Sequence, residues 1–278
     1  MGKALVIKGL EVANPLTSVS FLNPDTILSE YLAENTSITD TEKTALGAFV
    51  DGLMSNGLLS KMRYFYPMLG NNVTDMLIDV ISPATEDLLS NIDSATDLSV
   101  SDRMLNVSSG VRSVDVNALI RFKNTDWKNF GIITSTYCGS MSQFTTLRVS
   151  GQNGNNSFNI FPLSGAFTER PPRMLAGYSG SALSYIPASA IADERTYLDR
   201  IIFAQVNGDV AQLYKEKNLY ASGTSYVNDI TYLNDCKILG GNITTYKFFA
   251  ITNPLSQAEY TTFYELLLAF LQAVGKHA

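Results

Sequence analysis

Histidine is nearly missing from this chain: of 278 residues only His277 carries an imidazole. That count excludes Ser-His-Asp and Cys-His mechanisms in their usual form, the His-Glu-x-x-His zinc site and most transition-metal sites. Cysteine is scarce too. Cys138 and Cys236 stand almost a hundred residues apart and no Cys-x-x-Cys occurs, which argues against a zinc or redox pair. Whether neighbouring strands bring the two thiols together for a bridge stays open at this level. No cluster of Lys and Arg breaks the net charge of −6, which argues against nucleic-acid binding through phosphates. No stretch approaches the roughly 20 apolar residues of a membrane span. Ala4-Leu-Val-Ile is too short for a signal-peptide core and Lys8 interrupts it. Val6 also stands where myristoylation wants Ser or Thr. Synthesis and folding in a cytoplasm are therefore expected, and the sequons at Asn35, Asn72, Asn106, Asn155 and Asn242 read as loop polarity. No Walker A or Gly-x-Gly-x-x-Gly element follows a strand, so no nucleotide or other cofactor is expected.

What is present is a globular composition with 45% hydrophobic and 17% charged residues, suited to a packed protein. Fourteen Tyr, fourteen Phe and nineteen Gly suit a sandwich with tight turns. Two helix-forming stretches bracket a long β-like run. Thr39 with Glu42, and Ser256 with Glu259, each fit a capping box. The first helix spaces Ala45, Leu46, Phe49, Val50 and Leu53 on one stripe with Gly57 as its natural stop, and the helix-forming stretch runs on into a piece at 58–66 that Pro67 ends. The last spaces Phe263, Leu266, Leu267, Phe270, Leu271 and Val274 likewise, with Gly275 as its stop. Asn23-Pro24 opens a further helix through Ile27, Leu28, Tyr31 and Leu32. Short strands are expected at residues 3–9 and 17–22, and another at 73–81.

After Arg103 the strand rhythm persists, at 114–122, 131–137, 144–150, 157–161, 173–178, 183–186, 197–206, 210–215, 229–233 and 246–252. Asn207-Gly208 predicts a type I′ hairpin with both residues at positive φ. Many short strands without intervening helices indicate an antiparallel sandwich and not a βαβ fold. The Ser-, Asp- and Thr-rich stretch at 82–101 places a domain boundary near residue 100.

The run Thr41-Glu-Lys, Ala48-Phe-Val, Asn56-Gly-Leu-Leu-Ser-Lys-Met-Arg and Tyr66-Pro-Met-Leu-Gly70 resembles a segment near the start of many tailed-phage virion proteins. Leu255-Ser-Gln-Ala-Glu, Phe263-Tyr and Ala269-Phe-Leu resemble the closing helix of the same family, and Met1-Gly-Lys-Ala-Leu-Val-Ile-Lys-Gly resembles the start of structural proteins in phages of gut Bacteroidales, the crAss-like type. Between residues 75 and 105 the match fails. The resemblance implies a concanavalin-A-like (laminin-G-like) jelly roll. The fold expected is thus mainly β: an N-terminal mixed α+β attachment or oligomerisation module at 1–100, and an antiparallel jelly-roll sandwich at 101–278 with a closing helix at 256–275. It also implies a virion location, as a head fibre, decoration or tail component. The partners would be other virion proteins and further copies of the chain, with neither nucleic acid nor membrane among them.

No catalytic residues are expected. Glycoside hydrolysis needs only two carboxylates, but no Glu-x-Asp-x-Glu run occurs. Asp193 and Glu194 are adjacent and so point to opposite faces if extended, with Asp199 the nearest third acid, and Glu259 with Glu265 belongs to the closing helix. Lectin-like recognition of a host surface glycan is the alternative. It wants an exposed ring for the apolar sugar face with polar neighbours for the hydroxyls. Trp127, within Lys123-Asn-Thr-Asp-Trp-Lys-Asn, and Tyr178, beside Gly177 and Ser179, have that company. The competing reading for Trp127 is a ring packed against the sandwich edge, and Tyr178 likewise has a purely structural reading. Asp126, Asn129, Asp229, Asn234 and Asp235 have the composition of calcium ligands, but no metal is expected.

Overall fold

The computed structural model describes residues 23–81, 98–107, 112–113, 128–138, 147–151, 158–161, 173–179, 182–186, 199–226, 233–238 and 244–277. The expected strands at 3–9, 17–22 and 114–122 lie outside them. Helices α1 (Pro24–Glu34) and α2 (Asp40–Ser55) come first, then a 3-10 turn, Leu59–Lys61, strand β1 (Met62–Tyr66) and the short α3 (Val73–Met76). Thirteen strands follow: β2 (Leu98–Ser101), β3 (Met104–Val107), β4 (Arg112–Ser113), β5 (Asn129–Cys138), β6 (Leu147–Gly151), β7 (Phe158–Phe161), β8 (Arg173–Ser179), β9 (Ala182–Ile186), β10 (Asp199–Asn207), β11 (Val210–Lys215), β12 (Asn218–Thr224), β13 (Leu233–Ile238) and β14 (Thr244–Thr252). Helix α4 (Gln257–Ala273) closes the described chain.

The strands form two antiparallel sheets. One runs β12-β11-β10-β5-β14-β3-β2 with β1 also paired to β14, and the other runs β4-β13-β6-β7-β8-β9. Strand β14 carries two partners end to end on one side: β3 pairs with Thr244–Tyr246, and β1 with Phe249–Thr252. The fold is therefore mainly β, an antiparallel sandwich with a C-terminal helix.

Why the large sheet reads as almost unbroken apolar runs follows from its two covers. Along β10, Ile202, Ala204 and Val206 face one cluster, with Met174 and Ala176 of the second sheet. Ile201 and Phe203 face another, with α2 and α4. A sheet packed on both faces shows no polar alternation. In β14 a bulge between Tyr246 and Phe248 inserts Lys247. It shifts the alternation, so that Tyr246, Phe249 and Ile251 face the sandwich interior while Phe248 and Ala250 face the helices.

The helical layer is built by the two capping boxes. Thr39 N–H donates to Glu42 Oε2 at 2.9 Å while Glu42 N–H donates to Thr39 Oγ1 at 3.3 Å. Ser256 N–H donates to Glu259 Oε2 at 2.7 Å, and Glu259 N–H to Ser256 Oγ at 3.3 Å. Phe49 is the hub between helices and sheet: its ring lies 5.3 Å from Phe65, 6.0 Å from Phe248 and 5.8 Å from Phe263. Phe203 stacks on Tyr260 at 4.5 Å. Because β1 lengthens the large sheet and α2 shares its apolar cluster with α4, the described part of 1–100 has no core apart from that of 101–278.

Three local expectations are corrected. Gly57 stops α2 as the sequence predicts, taking φ +68 with Leu58 N–H returned to Leu53 O, but the stretch after it is not a further helical piece: a 3-10 turn leads into residues 62–66, drawn out as β1 by pairing with β14. Residues 73–81 are not a strand. Asn72 caps the turn Val73–Met76 by accepting from Asp75 N–H, and Val80 N–H bonds Phe65 O singly. The hairpin is shifted by one residue. Asn207 pairs with Val210, so the loop is Gly208-Asp209, and only Gly208 has positive φ (+58), the type II′ pattern.

Candidate functional site

Backbone hydrogen bonds gather four segments at one end of the sandwich. Gly208 N–H donates to Lys128 O at 2.7 Å, which ties the β10–β11 turn to the start of β5. The same N–H reaches Asn129 Oδ1 at 3.3 Å. Ser225 N–H donates to Asp209 O at 2.7 Å, and Tyr226 N–H donates to Ala176 O of β8 at 2.8 Å. The last bond joins the end of β12 to the second sheet across the sandwich edge.

Beneath this end lies a fixed support. Arg63, almost buried on β1, donates Nη2–H to Asn129 O at 2.9 Å and Nε–H to Asn253 Oδ1 at 2.8 Å. The planar fork holds Asn129 in place, and Asn129 in turn holds the Gly208 turn. At the surface stand Asn207, Asp209 and Thr224, all exposed, with Lys128 half-buried. Tyr226, 39% exposed, is the one aromatic of the exposed class among the described side chains. Tyr220 differs: it is half-buried, with Lys215 Nζ 5.8 Å above its ring. The site thus offers a ring with amide, carboxylate and hydroxyl groups nearby, the equipment for binding a polyhydroxylated ligand through one apolar face.

Of the two residues expected from sequence, Trp127 lies outside the described residues, and its chain neighbour Lys128 sits at this end. Tyr178 lies on β8, paired with Leu183 and two residues beyond Ala176. Strand β8, which carries Tyr178, is bonded to Tyr226 through Ala176, and the start of β5 is bonded to the Gly208 turn. Sequence reading missed Tyr226 because β12 itself was missed: Asn218-Leu-Tyr-Ala-Ser-Gly-Thr has a Gly and polar residues in place of a β-branched run.

Other candidates have other employment. Asn129 belongs to the turn support described above, and Asp126 and Asp229 lie outside the described residues, with Asn234 and Asp235 on β13. Among the described residues no group of three His, Cys, Asp or Glu could hold a metal ion. Asp193 and Glu194 also lie outside them, and Asp199 is on β10. Glu259 caps α4 and pairs with Lys61 at 2.6 Å, and Glu265 is exposed on α4. Burial pushes the Glu259 carboxyl up, but the hydrogen bonds from Lys61 and Ser256 outweigh it and hold the group below its ordinary range. Cys138 ends β5 in one sheet and Cys236 lies on β13 in the other.

No protein-family model matches the chain, and no curated protein does. Solved structures match its shape. A binding domain of botulinum neurotoxin serotype D/C superposes with a TM-score of 0.49 and 10% identity over 75% of this chain, which spans about half (52%) of that one. The CBM40 module of the Ruminococcus gnavus IT-sialidase, bound to alpha2,3 sialyllactose, gives 0.45 and 14%, over 57% of this chain and 94% of that one. A Trypanosoma rangeli sialidase gives 0.46 and 10%, over 73% and 32%. All three are β-rich likenesses below a TM-score of 0.5, and they carry no argument about a ligand.

Proposed function

We propose that this chain is a non-catalytic binding domain that recognises a host surface glycan in the manner of a lectin, and that it does so at the sandwich end built around Tyr226. The observation that carries the reading is the exposed Tyr226, whose backbone N–H is bonded to Ala176 O of β8, at the sandwich end that also carries the exposed Asn207, Asp209 and Thr224. A sugar presents an apolar C–H face to such a ring and hydroxyls to such neighbours. The frame behind it is already ordered by Arg63 and Asn129, which lowers the entropic cost of binding. The large sheet contributes no second face, since helices cover one side and the other sheet the opposite one.

The setting we propose is a tailed-phage virion, in which the domain contacts other virion proteins and further copies of itself. This rests on the resemblance of the two terminal segments. In that setting the helical layer is shared between both segments that carry the resemblance.

A glycan array probed with the full chain tests the first proposal. Binding to a defined glycan class, weakened about tenfold or more (about 1.4 kcal/mol) by Tyr226→Ala with thermal stability unchanged, is the expected result. Silence across the array, or a hit indifferent to Tyr226, Trp127 and Tyr178 alike, overturns it. Quantitative mass spectrometry of purified particles tests the second: a fixed symmetric copy number is expected, and absence from particles removes the virion reading.

A further inference from the structure

The segment after α4 is fastened by a lysine in an unusual place. Helix α4 ends in a Schellman motif, with Gly275 at φ +70, Gly275 N–H bonded to Gln272 O at 3.0 Å and Lys276 N–H to Leu271 O at 2.8 Å. The chain then turns the Lys276 side chain inward until the residue is only 3% exposed. Its Nζ donates to Met68 O and lies 3.4 Å from Pro67 O. Both carbonyls belong to a turn held in uncommon backbone angles, with Met68 at φ +52 and Gly70 at φ +102.

An ammonium carries three N–H donors and a neutral amine two. The cage supplies two acceptors. Among the described residues no carboxylate is bonded to Nζ. Glu42, the acid that faces it from α2, already accepts from Thr39 N–H and Oγ1 and is paired with Arg103. Two further cations face the site, Arg103 from the β2–β3 turn and the buried Lys247 from the bulge of β14. Asp75, beyond the same turn, is taken up by Ser37 and Asn72. His277 follows directly in the chain.

We propose that Lys276 is a proton-controlled latch: as a neutral amine it fastens the segment after α4 onto the turn at residues 67–70, and protonation loosens it. The cage takes up both N–H groups of the amine and leaves the ammonium one donor short, with Arg103 and Lys247 facing it. Burial accordingly brings the Lys276 pKa down to about 7, with Glu42 opposing the shift and Arg103 and Lys247 adding to it. The linkage follows from that depression. Once released into water the amine returns to about 10.4, so the open form binds the proton more tightly than the latched one. The latch is strongest above that value, weakens about tenfold for each unit that pH falls towards 7, and changes no further below about 7.

Amide hydrogen exchange of Lys276 in the intact protein reads this directly, since its N–H is bonded to Leu271 O. Between pH 7 and 9 the protection factor is expected to rise about tenfold per unit, and between pH 5 and 6.5 to stay level. Lys276→Met, a buried neutral chain, should give protection independent of pH. Lys276→Arg, which cannot shed its proton, should be poorly protected throughout. A wild-type protection factor that is flat from pH 7 to 9 overturns the latch, even if neither variant folds. So does a slope that survives in Lys276→Met.

Discussion

Gly131 stands where β5 passes beneath a ring. A Cβ built there would lie 2.5 Å from Phe203 Cε2 and 2.8 Å from Thr252 Oγ1. Phe203 has little room to retreat, because it packs in a cluster of three rings with Tyr214 at 5.3 Å and Tyr260 at 4.5 Å, which are themselves 4.9 Å apart. Gly131→Ala should therefore destabilise by about 1–3 kcal/mol through overpacking, read as a fall in the denaturant midpoint with an unchanged slope. Gly52 is tight for a softer reason, since the nearest atom is a Leu266 methyl at 2.6 Å, the far end of a side chain. The same residue-level view explains what sequence could and could not reveal of the site. Trp127 and Tyr178 are recognisable as aromatic residues in polar company. Tyr226 is not, because its exposure arises from a cross-sandwich bond to Ala176, fifty residues earlier in the chain. Nor does anything in Val274-Gly-Lys-His announce a buried lysine. Its burial depends on two carbonyls supplied by the turn at 67–70.

At the scale of the element, the capped helices were fully legible, since Thr39/Glu42 and Ser256/Glu259 form the reciprocal bonds their spacing promises. Thr39→Ala or Ser256→Ala should each cost about 1 kcal/mol, measured by chemical denaturation. Glu259 links its cap to Lys61, so α4 should also be sensitive to acid. Its carboxyl is held below the ordinary range, so its contribution is complete above the unfolded value near 4.3 and is lost as pH falls through the lower folded one. Glu259→Gln should flatten that part of the stability–pH curve. The strands were legible where both covers demand apolar residues, as in β10 and β14. They were illegible where an edge relaxes the demand, as in β12, or where pairing and not propensity decides, as in β1.

At the scale of the molecule, three layers depend on one another: helices, the large sheet and the smaller one. Phe263 on α4 meets Phe49 of α2 and Phe248 of the sheet, so Phe263→Ala should cost about 3–5 kcal/mol. The loss should lower the single unfolding transition of the whole domain instead of melting α4 alone. Two transitions in calorimetry would mean that the layers are separable. The most protected amides should lie in β5, β10 and β14, where residues 130–136, 200–206 and 246–252 are buried.

Strand β14 receives β1 and β3 on one flank and β5 on the other, so partners from widely separated parts of the chain wait for a single late segment. A ribosome delivers residues in order, and loops of this span close slowly. Strand β1 must then wait unpaired, and one edge each of β3 and β5 stay open, until residue 252 or so has emerged. Early, truncated products would expose bare sheet edges, which makes chaperone demand and nascent-chain aggregation an intrinsic cost of this topology.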